Sequence, residues 1–262
     1  MFPLYDDNPT EIFPFVTLLI MAVCVAVWVL VQGAGLDPET LLASVCAFGA
    51  IPAEITGELT EMGVLGAAVG QDTGGAAICR LGGLTWPALV SSMFLHGGWM
   101  HLIGNLWFLW IFGNNVEDSM GHGRFLLFYL LTGLVAAGAH VASAPGSTLP
   151  MVGASGAISA IMGAYLVLYP RARVHTLIII IILFRIIPIP AWIFLLFWFL
   201  LQVASSSLQL PGGGGGVAFW AHIGGFLAGL FLVKLFQNEV LVQAKRSGVV
   251  VGRRDLRGGG WW

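Results

Sequence analysis

Long apolar runs constrain this chain more than any other feature. Six spans can be read from apolar runs near the roughly 17–25 residues needed to cross a hydrocarbon layer as a helix, the second of them short. They run from Ile12 to about Gln32, Gly98 to Phe112, Arg124 to Ala144, Gly153 to Tyr169, Ala191 to Ala204 and Val217 to Phe236. The fifth is ambiguous, because Thr176–Ile187 is also apolar and Pro188-Ile189-Pro190 separates it from the run that follows. The second stretch is taken as most of the span and the first as a membrane-hugging lead-in. Only 9% of residues are charged, against roughly 25% in a soluble domain. The natural solvent is therefore lipid, and the expected fold class is an all-α membrane protein. Its expected organisation is a cytoplasmic N-terminal tail (1–11), a six-span domain (12–238) and a cytoplasmic C-terminal tail (239–262).

Charge sets the expected orientation. Arg124, Arg171, Arg173, Arg185, Lys234, Lys245, Arg246, Arg253, Arg254 and Arg257 fall on one side of a six-span arrangement, and Arg80 alone on the other. The positive-inside rule then places both termini in the cytoplasm. It places the long first loop, 33–97, outside; that loop carries Asp37, Glu39, Glu54, Glu58, Glu61 and Asp72. Short apolar stretches within it, such as Leu41–Ile51, suggest interfacial helices. Trp99, Tyr169 and Trp220 fit interface positions as well as packing. Gly212–Gly216 reads as a flexible turn. The first residues include Asp6, Asp7 and Glu11 rather than a positive region, so the first span is expected to remain as an anchor. A bacterial inner membrane is the simplest home for such a chain.

Several function classes are set aside. A net charge of -2 leaves no basic patch for phosphates, so no nucleic-acid partner is expected. Cys24, Cys46 and Cys79 match no zinc spacing, and neither metal nor cofactor is expected. Cys46 and Cys79 share the long loop and could pair in an oxidising compartment, or stay as free buried thiols. No internal repeat is visible, and span carboxylates are scarce. Both points weigh against a proton-relaying transporter.

Polar groups inside apolar spans are costly and point to function. His101 and Asn105 are four residues apart, so a helix stacks them on one face, where both can donate to the same point. An interhelical clamp would use the same pair. Ser155 lies between Gly153-Ala154 and Gly156 at the start of the fourth span. There the free N–H groups of a first helical turn can face a developing oxyanion. Gly156, Ala160 and Ala164 also form a packing stripe of small residues. His222 shares a face with Gly225 and Gly229, on a surface that another helix can approach closely. Serine needs a base within about 2.6–3.2 Å to become a nucleophile. Ser155, His222 and the donors of His101 and Asn105 together make a hydrolytic dyad with an oxyanion hole.

This chain resembles the rhomboid intramembrane proteases. The resemblance rests on His-x4-His-x3-Asn at His96, His101 and Asn105, and on Gly113-x3-Glu117-x3-Gly121. It rests equally on Gly153-Ala154-Ser155-Gly156 and Ala221-His222-x2-Gly225-x3-Gly229. It implies a six-helix bundle with a water-filled cavity opening to the extracytoplasmic side, and single-pass transmembrane proteins as substrates. It implies Ser155 as nucleophile, His222 as general base, and His101 and Asn105 in the oxyanion hole. Glu117 would be a structural hydrogen-bonding residue, and His96 would tie the long loop together. Two positions depart from the family's pattern. Trp86 is followed by Pro87, where the family often has Trp-Arg. Ser159 stands four residues after Ser155, where some members place an aromatic residue against the base histidine. Ser159 is also the alternative nucleophile. A rhomboid-like pseudoenzyme that binds clients without cutting them is the competing reading; such relatives usually lose the serine or the histidine.

Overall fold

A computed structural model of the protein describes residues 1–58, 79, 85–180, 183–208 and 218–247. Glu61, Asp72, Arg80, Gly212–Gly216, Arg253, Arg254 and Arg257 lie outside the described residues. The helices are α1 (Phe15–Leu30), α2 (Pro38–Phe48), α3 (Pro52–Thr56), α4 (Ala88–Ser91), α5 (Trp99–Phe108), α6 (Asn114–Met120), α7 (His122–Ser143), α8 (Ser155–Leu168), α9 (Ala191–Leu208), α10 (Phe219–Phe236) and α11 (Glu239–Ser247). Each of the six apolar runs holds a helix. Among the described residues, α7 and α10 are long and apolar enough to cross a membrane. α1, with 16 residues, and α8, with 14, are apolar but shorter. At about 1.5 Å per residue each falls short of a 30 Å core.

α8 is the central helix. Gly156 through Tyr165 are all buried, because small residues let α7 and α10 close on it from either side. A Cβ on Gly156 would lie 2.8 Å from the Ala136 Cβ of α7. α1 and α10 instead turn Leu19, Val23, Val29, Phe231 and Leu235 outward, the face a lipid-solvated helix presents.

α1 has no side-chain cap of its own and starts behind Pro14. Its free N–H groups are met from α6. The fully buried Glu117 carboxylate accepts from Val16 N and Thr17 N at 2.8 Å each, and from Thr17 Oγ1 at 2.6 Å. Asp118 Oδ1 accepts from Ile12 N at 2.8 Å and Glu11 N at 3.0 Å. Two anionic side chains at a helix N-terminus satisfy its orphan donors and oppose its dipole. Glu117→Ala leaves those donors buried and unpaired. It is expected to cost about 2–4 kcal/mol, visible as a lowered Tm in detergent, with Glu117→Gln intermediate. An unchanged Tm in both variants would show the contacts to be dispensable.

The all-α expectation omitted a three-stranded antiparallel sheet in the order β1-β2-β3. β1 (Phe2–Asp6) comes from the segment read as a tail. β2 (Arg173–Ile180) and β3 (Leu183–Pro190) come from the stretch read as a membrane-hugging lead-in. The β-branched run Thr176, Ile178, Ile179, Ile186 and Ile187 suits a pleated hairpin. Pro188 and Pro190 sit on the edge strand, where their missing N–H costs no ladder bond. The sheet docks where α5 and α8 end. Trp107 Nε1 donates to Pro3 O at 2.7 Å, Asn115 Nδ2 donates to Asp6 Oδ2 at 2.9 Å, and the Tyr165 hydroxyl donates to the same carboxylate.

The long loop is stitched to the opposite end. α2 begins at Asp37, which accepts from Thr40 N at 2.9 Å, and Pro38 opens its first turn. Ala50 and Met151 exchange backbone hydrogen bonds of 3.0 and 2.8 Å. Gln32 clasps the backbone of His96: its Nε2 donates to His96 O and its Oε1 accepts from His96 N, both at 2.8 Å. Cys46 and Cys79 are joined in a disulfide, and Cys24 is free and buried. Of the two fates open to the loop cysteines, the structure has them paired.

Candidate active site

Ser155 is the first residue of α8 and His222 lies in the first turns of α10. Their side chains meet with Ser155 Oγ 2.8 Å from His222 Nε2. Close approach of the two helices makes this possible. Gly225 and Gly229 bring α10 against the backbone carbonyls of Gly156 and Ala160, where any Cβ would overlap them. Gly153 precedes the serine at φ +125°, a left-handed conformation that glycine adopts without strain. A Cβ there would stand 2.7 Å from His101 Nε2. The glycine thus serves both the turn into α8 and the approach of the imidazole.

The hydrogen bond at His101 Nδ1 determines what its other nitrogen does. Gly97 N donates to His101 Nδ1 at 3.2 Å, so in the neutral ring the proton resides on Nε2. That N–H faces the turn at Gly153, beside the start of α8. Asn105 is buried one turn further along α5, and its Nδ2 has no hydrogen-bond partner among the described residues. A buried donor without a partner is a costly feature that a transient oxyanion would satisfy. His96 is buried with its ring edge-on to His101, centroids 5.3 Å apart. A cavity of ≈ 20 Å³ beside Ser155, lined by Met93, Ala136, Gly153, Gly156 and Ala221 among others, has room for one water.

Ser159, the alternative nucleophile, is turned away from the imidazole. Its Oγ donates to the Ser155 carbonyl at 2.6 Å, a bond within the helix. Two residues that the sequence reading missed flank His222 instead. Gln202 Oε1 lies 2.9 Å from His222 Nδ1. The Trp198 ring lies one turn earlier on α9, tilted 38° to the imidazole at 5.9 Å. Gln202 carried a signal, since it is the single amide in the α9 run. A lone amide in a span needs a partner, and this one could have been flagged on that ground.

The sequence profile of the Rhomboid domain matches residues 84–239, more than half of the 262-residue chain. This chain belongs to the rhomboid family. It is a helical membrane protein of that family, and every residue discussed in this section lies within the matched stretch. The rhomboid chain is 43% identical over 81 residues to "Rhomboid protease GluP" of Bacillus subtilis, covering 31% of this chain and 15% of that protein. It is 42% identical over 76 residues to "Rhomboid-like protein 11, chloroplastic" of Arabidopsis thaliana, covering 28% and 26%. It is 27% identical over 172 residues to "Rhomboid protein 1, mitochondrial" of Saccharomyces cerevisiae, covering 63% and 46%. The rhomboid chain thus spans less than half the length of these relatives, which come from a bacterium and from two kinds of organelle.

Proposed function

We propose that this rhomboid chain is an intramembrane serine endopeptidase. It cleaves single-pass membrane proteins in or near their transmembrane segment through the dyad of Ser155 and His222. The observation that carries the reading is the 2.8 Å contact between Ser155 Oγ and His222 Nε2, a nucleophile within reach of its base. His222 takes the Oγ proton as Oγ attacks the scissile carbonyl. The oxyanion then meets the Ser155 N–H, His101 Nε2–H and Asn105 Nδ2, donors in place before charge develops. Collapse expels the amine, which takes the proton from His222; the same base then activates a water that attacks the Ser155 ester, freeing the acid product and returning the proton to Oγ.

The proposed setting is a six-span bundle, residues 12–238, in a prokaryotic plasma membrane, with both termini cytoplasmic and the 33–97 loop outside. The Cys46–Cys79 disulfide supports an oxidising environment for that loop. The test is cleavage of a panel of single-pass substrates by purified protein in detergent. Cleavage that survives Ser155→Ala or His222→Ala undiminished overturns the dyad. Client binding without any cleavage by the wild type would favour the pseudoenzyme. Asn105→Ala is expected to lower kcat on the order of 10²-fold with little change in KM. Steady-state kinetics on one substrate checks this, and an unchanged kcat removes Asn105 from the hole.

A further inference from the structure

The dyad leaves one requirement unmet. A histidine acts as a base through Nε2 only if its proton sits on Nδ1, and a neutral imidazole has no preference strong enough to guarantee that tautomer. Some partner must accept the Nδ1 proton. We propose that Gln202 is that partner, a positioning residue on α9 that fixes the tautomer and ring plane of His222; the proposal rests on the dyad reading above.

Three observations carry it. Gln202 Oε1 lies 2.9 Å from Nδ1 while Ser155 Oγ lies 2.8 Å from Nε2, so the imidazole is held between the two. Proton positions along this chain have two self-consistent forms. In one, Ser155 donates to Nε2 and Nδ1 donates to the Gln202 carbonyl. In the other, the Gln202 amide donates to Nδ1 and Nε2 donates to the serine. Only the first leaves Nε2 able to accept the serine proton. It is also the form that survives proton transfer, because an imidazolium donates from both nitrogens and needs an acceptor at each end. Second, Gln202 is the single amide in a helix that otherwise reads AWIFLLFWFLL before it. An amide half-buried in an apolar span is costly without a partner of this kind. Third, Trp198 sits four residues earlier on the same helix and lays its ring beside the imidazole, so one face of α9 supplies both the acceptor and a wall. Ser159, whose hydroxyl is bonded to its own helix, supplies neither. A neutral acceptor suits this place better than a carboxylate, since burying an anion in the bundle would add a desolvation cost.

The test compares Gln202→Leu and Gln202→Glu with the wild type in detergent. Readouts are kcat and KM on one single-pass substrate, the rate of Ser155 labelling by a fluorophosphonate, the pH dependence of kcat/KM, and Tm as a check of folding. Gln202→Leu is expected to lower kcat and the labelling rate roughly 10-fold to 10²-fold, with KM little changed. Gln202→Glu is expected to retain activity. Its acid limb should move to higher pH, because a carboxylate stabilises the imidazolium and raises the pKa of the base. Wild-type kcat and labelling in folded Gln202→Leu would overturn the proposal. So would an unmoved acid limb in Gln202→Glu, and that variant decides alone if Gln202→Leu does not fold. Ser155→Ala separates the two levels. If it cleaves like the wild type, the dyad fails. If it is inactive while both Gln202 variants match the wild type, only the positioning role fails.

Discussion

Ser155→Ala is expected to lower the cleavage rate by at least about 10⁴-fold while leaving the folding stability within about 0.5 kcal/mol of wild type. The substitution deletes one oxygen and nothing that packs. Alanine is a good helix former in the first turn of α8, and the approach of α10 depends on Gly225 and Gly229 rather than on the serine. The missing hydroxyl is not replaced from nearby. Ser159 lies a full turn further into the helix, with its Oγ held by the Ser155 carbonyl at 2.6 Å. That carbonyl is still present in the alanine variant, so Ser159 has no reason to turn. His222→Ala removes the proposed base from the same pair and should fall to a similar residual rate, because residues acting as a unit are not additive. Product formation from one substrate, measured with melting curves for each variant, checks both halves of this expectation. A variant that loses activity together with stability would point to packing rather than chemistry.

Gly229→Val has the opposite signature: the fold is lost, and activity only as a consequence. A Cβ at Gly229 would lie 2.6 Å from the Ala160 Cα and overlap the Ala160 carbonyl. Neither atom belongs to a flexible side chain, so no rotamer change relieves the clash. Relief requires α8 and α10 to separate, which removes the contact that holds Ser155 against His222. Overpacking a well-filled core costs about 1–3 kcal/mol, and more where backbone must shift; here the upper end or beyond is expected. Gly138→Ala is the control, since a Cβ there meets nothing within 4 Å. On α7 it should be neutral or stabilising by up to about 1 kcal/mol. Thermal unfolding and size-exclusion profiles in detergent separate the two. A Gly229→Val protein with a wild-type Tm would mean that the helices are further apart than the structure has them.

Much of the site was legible because lipid makes polar residues conspicuous. His101, Asn105, Ser155 and His222 stand in apolar runs with glycines near the last two, so each was picked out, although each alone had a packing explanation and only their order together pointed to a site. Gln202 stood in a run just as apolar. Hydropathy says only that a span is present, and which face of α9 meets α10 is a matter of packing. The sheet was less accessible still. β1 pairs with a strand from the other half of the chain, Phe2 opposite Leu177, and no local pattern announces so distant a partner. The isoleucine run that forms β2 reads equally as buried helix. The disulfide was one of two fates left open, because the spacing of Cys46 and Cys79 fits no known framework. Glu117 was expected to bond something, but not to close the start of α1, since that helix's missing cap becomes visible only beside its neighbour.

Between α5 and α6 the chain makes one π turn, Leu109–Gly113, without breaking the helix. Such a turn amounts to one extra residue inserted into an otherwise regular rod, and a single residue rotates everything beyond it by about 100°. His101 and Asn105 lie before this point, Asn115, Glu117 and Asp118 after it. The wide turn therefore acts as a phase adjuster. It lets one continuous rod aim its first half at the Ser155–His222 pair and its second half at the start of α1 and the Asp6 carboxylate. Sequence length in Leu109–Gly113 is consequently as constrained as sequence identity at either end.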